Sequence, residues 1–207
     1  MNLWAWIHHQ MSSGEIFRIG AFAVKFNQPY LSLKMISSSN TTSLELSTQE
    51  LSDGCKLGLD THADVSCIGR HGRVMETLEG QHCTVYPFND SYSPMERVET
   101  VNAAFAVDTE SGPTYILRVN QALNFTSSMT NSLLCTNQSR ANGIIIDDIP
   151  PAFDKLGKST FSIYDPDKQI RLPLQNRGPI PHLNVRYPTN DDLERCEEIQ
   201  LTSEFEM

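Results

Sequence analysis

From Leu51 to Ile149 the apolar positions fall into short runs: Lys56-Leu57-Gly58-Leu59, Cys83-Thr84-Val85-Tyr86, Val98 to Val107, Thr114 to Val119 and Ile144-Ile145-Ile146. Each run is β-branched or aromatic in character and is bounded by Gly, Pro, Asn or Asp, which predicts strands rather than helices. The clearest local unit is a hairpin. Val101 to Val107 and Thr114 to Val119 flank Asp108-Thr109-Glu110-Ser111-Gly112-Pro113, a turn-rich connection slightly longer than the commonest hairpin loops. One short helix is expected over Thr136 to Asn142, stopped by Gly143. An acidic helix is expected near the end, over Asn190 to Ile199, capped by Asn190 or Asp191.

The flanks read differently. Residues 1 to 50 hold an apolar segment from Ile16 to Leu33 and then the tract Ser37-Ser38-Ser39-Asn40-Thr41-Thr42-Ser43. Small polar side chains offer the backbone local hydrogen bonds and bury nothing, so the tract reads as a linker. Beyond Pro150-Pro151 stand Pro166, Pro173, Pro179, Pro181 and Pro188. Proline removes ladder donors, so this part is expected as edge strands and loops, or as a linker toward a downstream domain. The resulting division is an N-terminal extension and linker over 1–50, a β domain over 51–149 and a Pro-rich extension over 150–207.

Composition narrows the classes. The chain has 207 residues, 39% hydrophobic and 20% charged, which suffices for a core and falls short of a self-repelling disordered chain. Sixteen Lys and Arg against 25 Asp and Glu give a net charge of −9. With no cluster of basic residues, direct binding to nucleic acid is not expected. No apolar run approaches the roughly 18–20 residues of a spanning helix, so no membrane partner is expected. Met1 to His9 lacks the basic and long apolar regions of a signal peptide. Five scattered cysteines, Cys55, Cys67, Cys83, Cys135 and Cys196, read as free thiols in a reducing, cytoplasmic compartment.

The string with the most chemistry is Leu57-Gly58-Leu59-Asp60-Thr61-His62-Ala63-Asp64-Val65-Ser66. An apolar strand delivers an Asp followed at once by a small hydroxyl residue. Two such carboxylates brought face to face share one proton, so that one activates water while the other protonates a carbonyl oxygen. The plainer reading is a strand ending in a turn, with Asp60 capping its own backbone. A second apolar-Asp-Thr, Val107-Asp108-Thr109, lies 48 positions after Asp60, too close for a second lobe, and reads as a hairpin turn. Cys67 and His71 have a spacing that zinc tolerates, but the adjacent His82 and Cys83 would point to opposite faces of a strand, and no metal or other cofactor is expected.

Asp60-Thr61-His62-Ala63-Asp64 resembles the Asp-Thr/Ser-Gly-Ala-Asp signature of retroviral-type aspartic proteases, with His62 in place of Gly, a variant similar to that of copia-type retrotransposon polyproteins. Further motifs look like those polyproteins in the same order: Pro87 to Tyr92, Thr114 to Leu117 with Asn120 to Leu123, Ser132 to Gly143, Leu172 to Gln175, Pro188 to Cys196 and Leu201 to Glu204. The resemblance spans residues 51 to 205. It implies a mainly β, retropepsin-like closed fold, active as a symmetric homodimer on a peptide or polyprotein substrate, in the cytoplasm or in virus-like particles. Asp60 would be the catalytic carboxylate and Thr61 a contact across the two-fold axis. His62, Ala63 and Asp64 would meet the substrate main chain. Ser132 to Cys135 with the short helix would fill the place of the family's second apolar loop and C-terminal helix, and a flap would lie between Tyr86 and Val107. In a Gly-like conformation His62 would cost on the order of 1 kcal/mol. The other class open to the same sequence is a non-catalytic β domain serving interaction or dimerisation.

Overall fold

Strands form where the β-branched and aromatic runs stand, and the computed structural model describes them over residues 17–18, 55–86, 93–110, 112–177 and 180–204. The rest of the expected N-terminal extension, its Ser/Thr tract and the Pro87–Tyr92 part of the expected flap lie outside the described residues. In chain order the strands are β1 (Phe17–Arg18), β2 (Lys56–Asp60), β3 (Cys67–Ile68), β4 (Arg73–Tyr86), β5 (Met95–Asp108), β6 (Thr114–Asn124) and β7 (Ser132–Cys135). After helix α1 (Thr136–Ala141) come β8 (Ile145–Asp147), a 3-10 turn (Pro151–Phe153), β9 (Ser162–Asp165), β10 (Ile170–Pro173), β11 (Gln175–Arg177) and β12 (Ile180–Asn184). Helix α2 (Asn190–Arg195) and β13 (Glu197–Gln200) follow.

The chain is mainly β, and its described residues form two sheets. Among the described residues one sheet runs β1-β4-β5-β6-β3-β7-β2-β12-β11, with β13 also on β6, and a second runs β10-β9-β8. The expected hairpin is β5–β6, antiparallel and closed by the pair Asp108↔Thr114. Gly112 takes φ +109° in its connection, a value that a side chain would resist. β5 also supplies most of the segment expected as flap: from Met95 onward it is a strand of the main sheet.

Core packing explains why β5 is buried on both faces from Ala103 to Val107. Ala103, Phe105 and Val107 turn into the main apolar cluster. Ala104 and Ala106 turn the other way and join Ile116 beneath Leu193 and Cys196. Alanine is the side chain that lets α2 approach that face.

Residues 162–200 fall within the expected Pro-rich extension, yet they carry strands and core. Phe161, Ile163, Ile170, Leu172, Leu174, Leu183, Val185, Ile199 and Leu201 share one buried cluster with Leu57 and Leu59. Two of its prolines sit where the missing N–H is harmless: Pro173 is the last residue of β10, and Pro166 follows β9.

The two helices differ in how well they match the pattern. α1 ends as expected, with Asn142 at the C-cap and Gly143 at φ +85°. The acidic helix is shorter than expected and capped otherwise. Thr189 is the N-cap, in a reciprocal capping box with Asp192, and the helix stops at Arg195. Glu197 to Gln200 instead pair in parallel with Tyr115 to Arg118 of β6. Ile199 and Leu201 are buried while Glu197 is exposed, so the period of two prevails over helix propensity at this sheet edge.

Candidate active site

β2 ends in Asp60, and three elements meet there. On one side β2 runs parallel to β7, with Asp60 paired in register to Cys135. On the other side β12 runs antiparallel, from Asn184↔Lys56 to His182↔Gly58. The loop Thr61 to Ser66 then returns the chain to β3, which pairs with both β6 and β7.

Asp60 is 5% exposed, and its two oxygens have different surroundings. Oδ1 accepts the His62 backbone N–H at 2.8 Å, an Asx-type closure of the loop. Oδ2 is buried and, among the described residues, is the buried side-chain polar atom without a hydrogen-bond partner. Leaving such an acceptor unmet costs about 1–3 kcal/mol, more when it is charged. An oxygen in that condition can accept a hydrogen bond from a water or from a protonated group brought against it.

The loop is held from behind by residues of the Ser132 to Gly143 segment, through contacts that the sequence does not specify. Gln138 on α1 accepts from both the Ser66 N–H, at 2.9 Å, and the Ser66 hydroxyl, at 2.8 Å. A backbone N–H can only donate, which fixes the orientation of the Gln138 amide. Ser66 Oγ in turn accepts the Cys135 N–H at 3.0 Å. Cys135 Sγ donates to the Ala63 carbonyl at 3.0 Å and caps α1 by accepting the Gln138 N–H. Below them Ser132 Oγ accepts the Gly69 N–H at 2.8 Å. Ser132, Cys135 and Gln138 thus join the loop after Asp60 in one hydrogen-bonded unit.

The expected site residues occupy distinct places. Asp60, Thr61 and His62 line one cavity of about 450 Å³. Thr61 and His62 are exposed, with Thr61 Oγ1 3.0 Å from His62 Nδ1. His62 is not among the residues of positive φ, so it carries none of the backbone strain that a glycine-like conformation would impose. Ala63 is buried, and its carbonyl faces Cys135. Asp64 is an exposed residue of the loop. Its carboxyl is pushed up, first by desolvation and then by the nearby charge of Asp60.

The remaining walls of the cavity are apolar and come from distant segments: Leu59 and Leu133 from the sheet, Ile149, Pro150 and Phe153 from the 3-10 turn region, and Ile180 with Pro181 from β12. Asp148 also lines it and is paired with Arg140 at 3.4 Å.

Asp108 is far from this site in chemistry. It is exposed at the end of β5, where it accepts the Thr114 hydroxyl at 2.7 Å and two Arg186 N–H groups at 2.8 and 3.0 Å. The same guanidinium grips Asp192 at 2.6 and 3.0 Å. Arg186 thus ties the hairpin turn to the capping box of α2, which gives Asp108 a structural role.

The described residues contain no group of three or more His, Cys, Asp or Glu arranged to hold a metal ion. All five cysteines are free. No helix among the described residues is long and apolar enough to cross a membrane. Comparison with protein families, with curated proteins and with solved structures finds no match to this chain.

Proposed function

We propose that this chain is an aspartic endopeptidase of retroviral type, a retropepsin-like domain of a retrotransposon polyprotein, with its water-activating dyad completed by Asp60 of a second copy. The observation that carries the reading is the Asp60 carboxylate: one oxygen fixed by the His62 N–H and the other buried and unmet beside an apolar cavity. A half-site has this form. In this reading the fixed oxygen would orient the carboxylate, and the other would meet water and the second carboxyl once two copies associate.

The chemistry follows from the pair. The ionised carboxylate takes a proton from water as the water oxygen attacks the peptide carbonyl, and the protonated partner gives its proton to the carbonyl oxygen. Collapse of the tetrahedral intermediate returns the hydroxyl proton to the dyad and breaks the C–N bond, with a proton passing to the leaving nitrogen. A peptide bound over the apolar walls would displace bulk water and strengthen the electrostatic part of this work. Thr61, exposed beside Asp60, would meet its symmetry mate.

Asp60→Asn keeps the shape and cannot exchange the shared proton. Incubated with a polyprotein spanning this region, the unaltered chain is expected to cut it, Asp60→Asn to leave it intact, and Asp108→Asn to retain most of the activity. Equal loss in both variants would refute the assignment. A second reading, a non-catalytic binding module, draws on the exposed apolar side chains Ile149, Phe153 and Leu156, at 53%, 68% and 76% exposure. It predicts peptide binding without cleavage by the unaltered chain.

A further inference from the structure

Another cavity, of about 430 Å³, lies where segments distant in sequence meet, and it shares no lining residue with the cavity beside Asp60. Its walls are the end of α1 at Asn142 to Ile144, the β9–β10 turn from Asp165 to Lys168, and β13 with its continuation to Glu204. Hydrogen bonds tie these walls together. Asn142 Nδ2 donates to the Gln200 carbonyl at 2.8 Å, and Lys168 Nζ donates to the Glu198 carbonyl. Arg118 of β6 pairs with the Glu198 carboxylate at 2.9 Å.

Charge in the lining is unbalanced. The four carboxylates of Asp165, Asp167, Glu198 and Glu204 stand against the two cations Arg118 and Lys168. Arg118 is taken by Glu198, and Asp165, Asp167 and Glu204 are in no ion pair among the described residues. Asp165 is 6% exposed, and its Oδ1 closes the turn by accepting the Asp167 and Lys168 N–H groups at 3.0 and 3.2 Å. Its Oδ2 has no hydrogen bond among the described residues, and it is not sealed off as Asp60 Oδ2 is, so it opens onto the cavity that Asp165 lines. A carboxyl buried to that degree, with one oxygen fixed and the other open to a cavity, calls for a donor in the cavity.

The donor that fits is an organic cation. No three His, Cys, Asp or Glu among the described residues are arranged to hold a metal ion. The acceptors come from two segments, the β9–β10 turn and the stretch after β13, which suits a planar guanidinium with its fork of donors better than the point charge of an ammonium. Ile144 and Pro166 offer apolar surface to the methylenes of such a group. The volume lies within the range of small-ligand pockets, and the chain's net charge of −9 draws cations toward it.

We propose that this cavity binds an alkylguanidinium, the side chain of an arginine in a peptide or a free guanidine-bearing molecule, with Asp165 as its principal acceptor and Asp167 and Glu204 as supporting charges. The site stands on this cavity and does not depend on the protease reading.

The test is isothermal titration calorimetry on the full chain with butylguanidine, with an octapeptide bearing one arginine, with the same peptide bearing citrulline in its place, and with calcium chloride. Peptides are titrated into the Asp60→Asn protein so that none is cut. Butylguanidine and the arginine peptide are expected to bind, more weakly as salt is raised. Citrulline keeps the shape and loses the charge, so its peptide is expected to bind about 10-fold more weakly or less. Asp165→Asn keeps the turn-closing oxygen and removes the charge, and is expected to weaken binding by about 10–100-fold. Asp167→Asn with Glu204→Gln alters exposed side chains, leaves the core intact and is expected to weaken it by about 2–10-fold; circular dichroism verifies the fold of each variant. Binding of the peptide alone would support the site with a peptide as its source, and binding of butylguanidine alone would support it with a small molecule. No binding of either at millimolar concentration, equal binding of the citrulline peptide, binding unchanged in both variants, or displacement of butylguanidine by calcium would each overturn the proposal.

Discussion

Ser66→Ala tests whether the Asp60 loop is held by its rear hydrogen bonds. Ser66 is fully buried, its hydroxyl donates to Gln138 Oε1 and accepts from the Cys135 N–H, and its own N–H retains Gln138 in the variant. Loss of the donated bond costs about 0.5–1.5 kcal/mol, and a buried Cys135 N–H without its acceptor costs about 1–3 kcal/mol more. The expected destabilisation is therefore about 2–4 kcal/mol, a large share of a typical margin of roughly 5–15 kcal/mol. For a chain of this size that lowers the melting temperature by roughly 4–16 °C. Urea titration followed by circular dichroism measures it, with Gln138→Leu and the double variant completing a cycle. A coupling of about 0.5–3 kcal/mol between the two positions is expected. A change below about 0.5 kcal/mol in Ser66→Ala would refute the reasoning, since water or a shifted loop would then have replaced the serine.

Specific activity should rise with protein concentration until dimers saturate, because each chain supplies one Asp60; sedimentation alongside the assay checks this, and activity strictly proportional to concentration in a monomeric sample would count against it. Arg186→Gln should destabilise the chain by about 1 kcal/mol at neutral pH, a value discounted for exposure. Arg186 hydrogen bonds hold the Asp192 and Asp108 carboxyls below their usual range, so this stabilisation is present above about pH 4 and is lost as pH falls through the depressed values; a gap between the two proteins that does not shrink in acid titrations would contradict it. His62→Gly should cost about 0.5–1 kcal/mol through the entropy of the unfolded chain, because His62 has no positive φ for glycine to relieve; thermal melts that show a gain would overturn this.

Local signals carried the elements they could reach. The β5–β6 hairpin is written in two β-branched runs around a Gly-Pro turn, and the end of α1 in Asn142-Gly143, because a turn or a helix stop depends on residues within a few positions. The pairing His182↔Gly58 joins strands more than 100 positions apart, and nothing near either residue announces the other. The same holds for β13. Its acidic sequence favours a helix taken alone, and it becomes a strand because the free edge of β6 and the core pockets for Ile199 and Leu201 stabilise it more.

The candidate site divides along the same line. Asp60, Thr61 and His62 are adjacent in sequence, and their chemistry is legible from adjacency. The groups that position and enclose them are set by packing: Gln138 reaches Ser66 across 72 positions, and Phe153 and Ile180 arrive from separate segments. The one trace they leave in the sequence is polarity where burial is required. A Gln on the inner face of a six-residue helix and a Ser inside an apolar strand approach must find partners, since an unmet buried polar group costs more than the fold can spare at many places. Pro181 leaves the opposite trace. A proline in β12 reads as an edge residue when ladder donors are counted, but here the β12–β2 ladder ends at His182, one position after Pro181, and Pro181 and Leu59 both line the cavity beside Asp60. Proline at such a position shapes a site by the hydrogen bond it withholds, which is visible only when the register of the neighbouring strand is known.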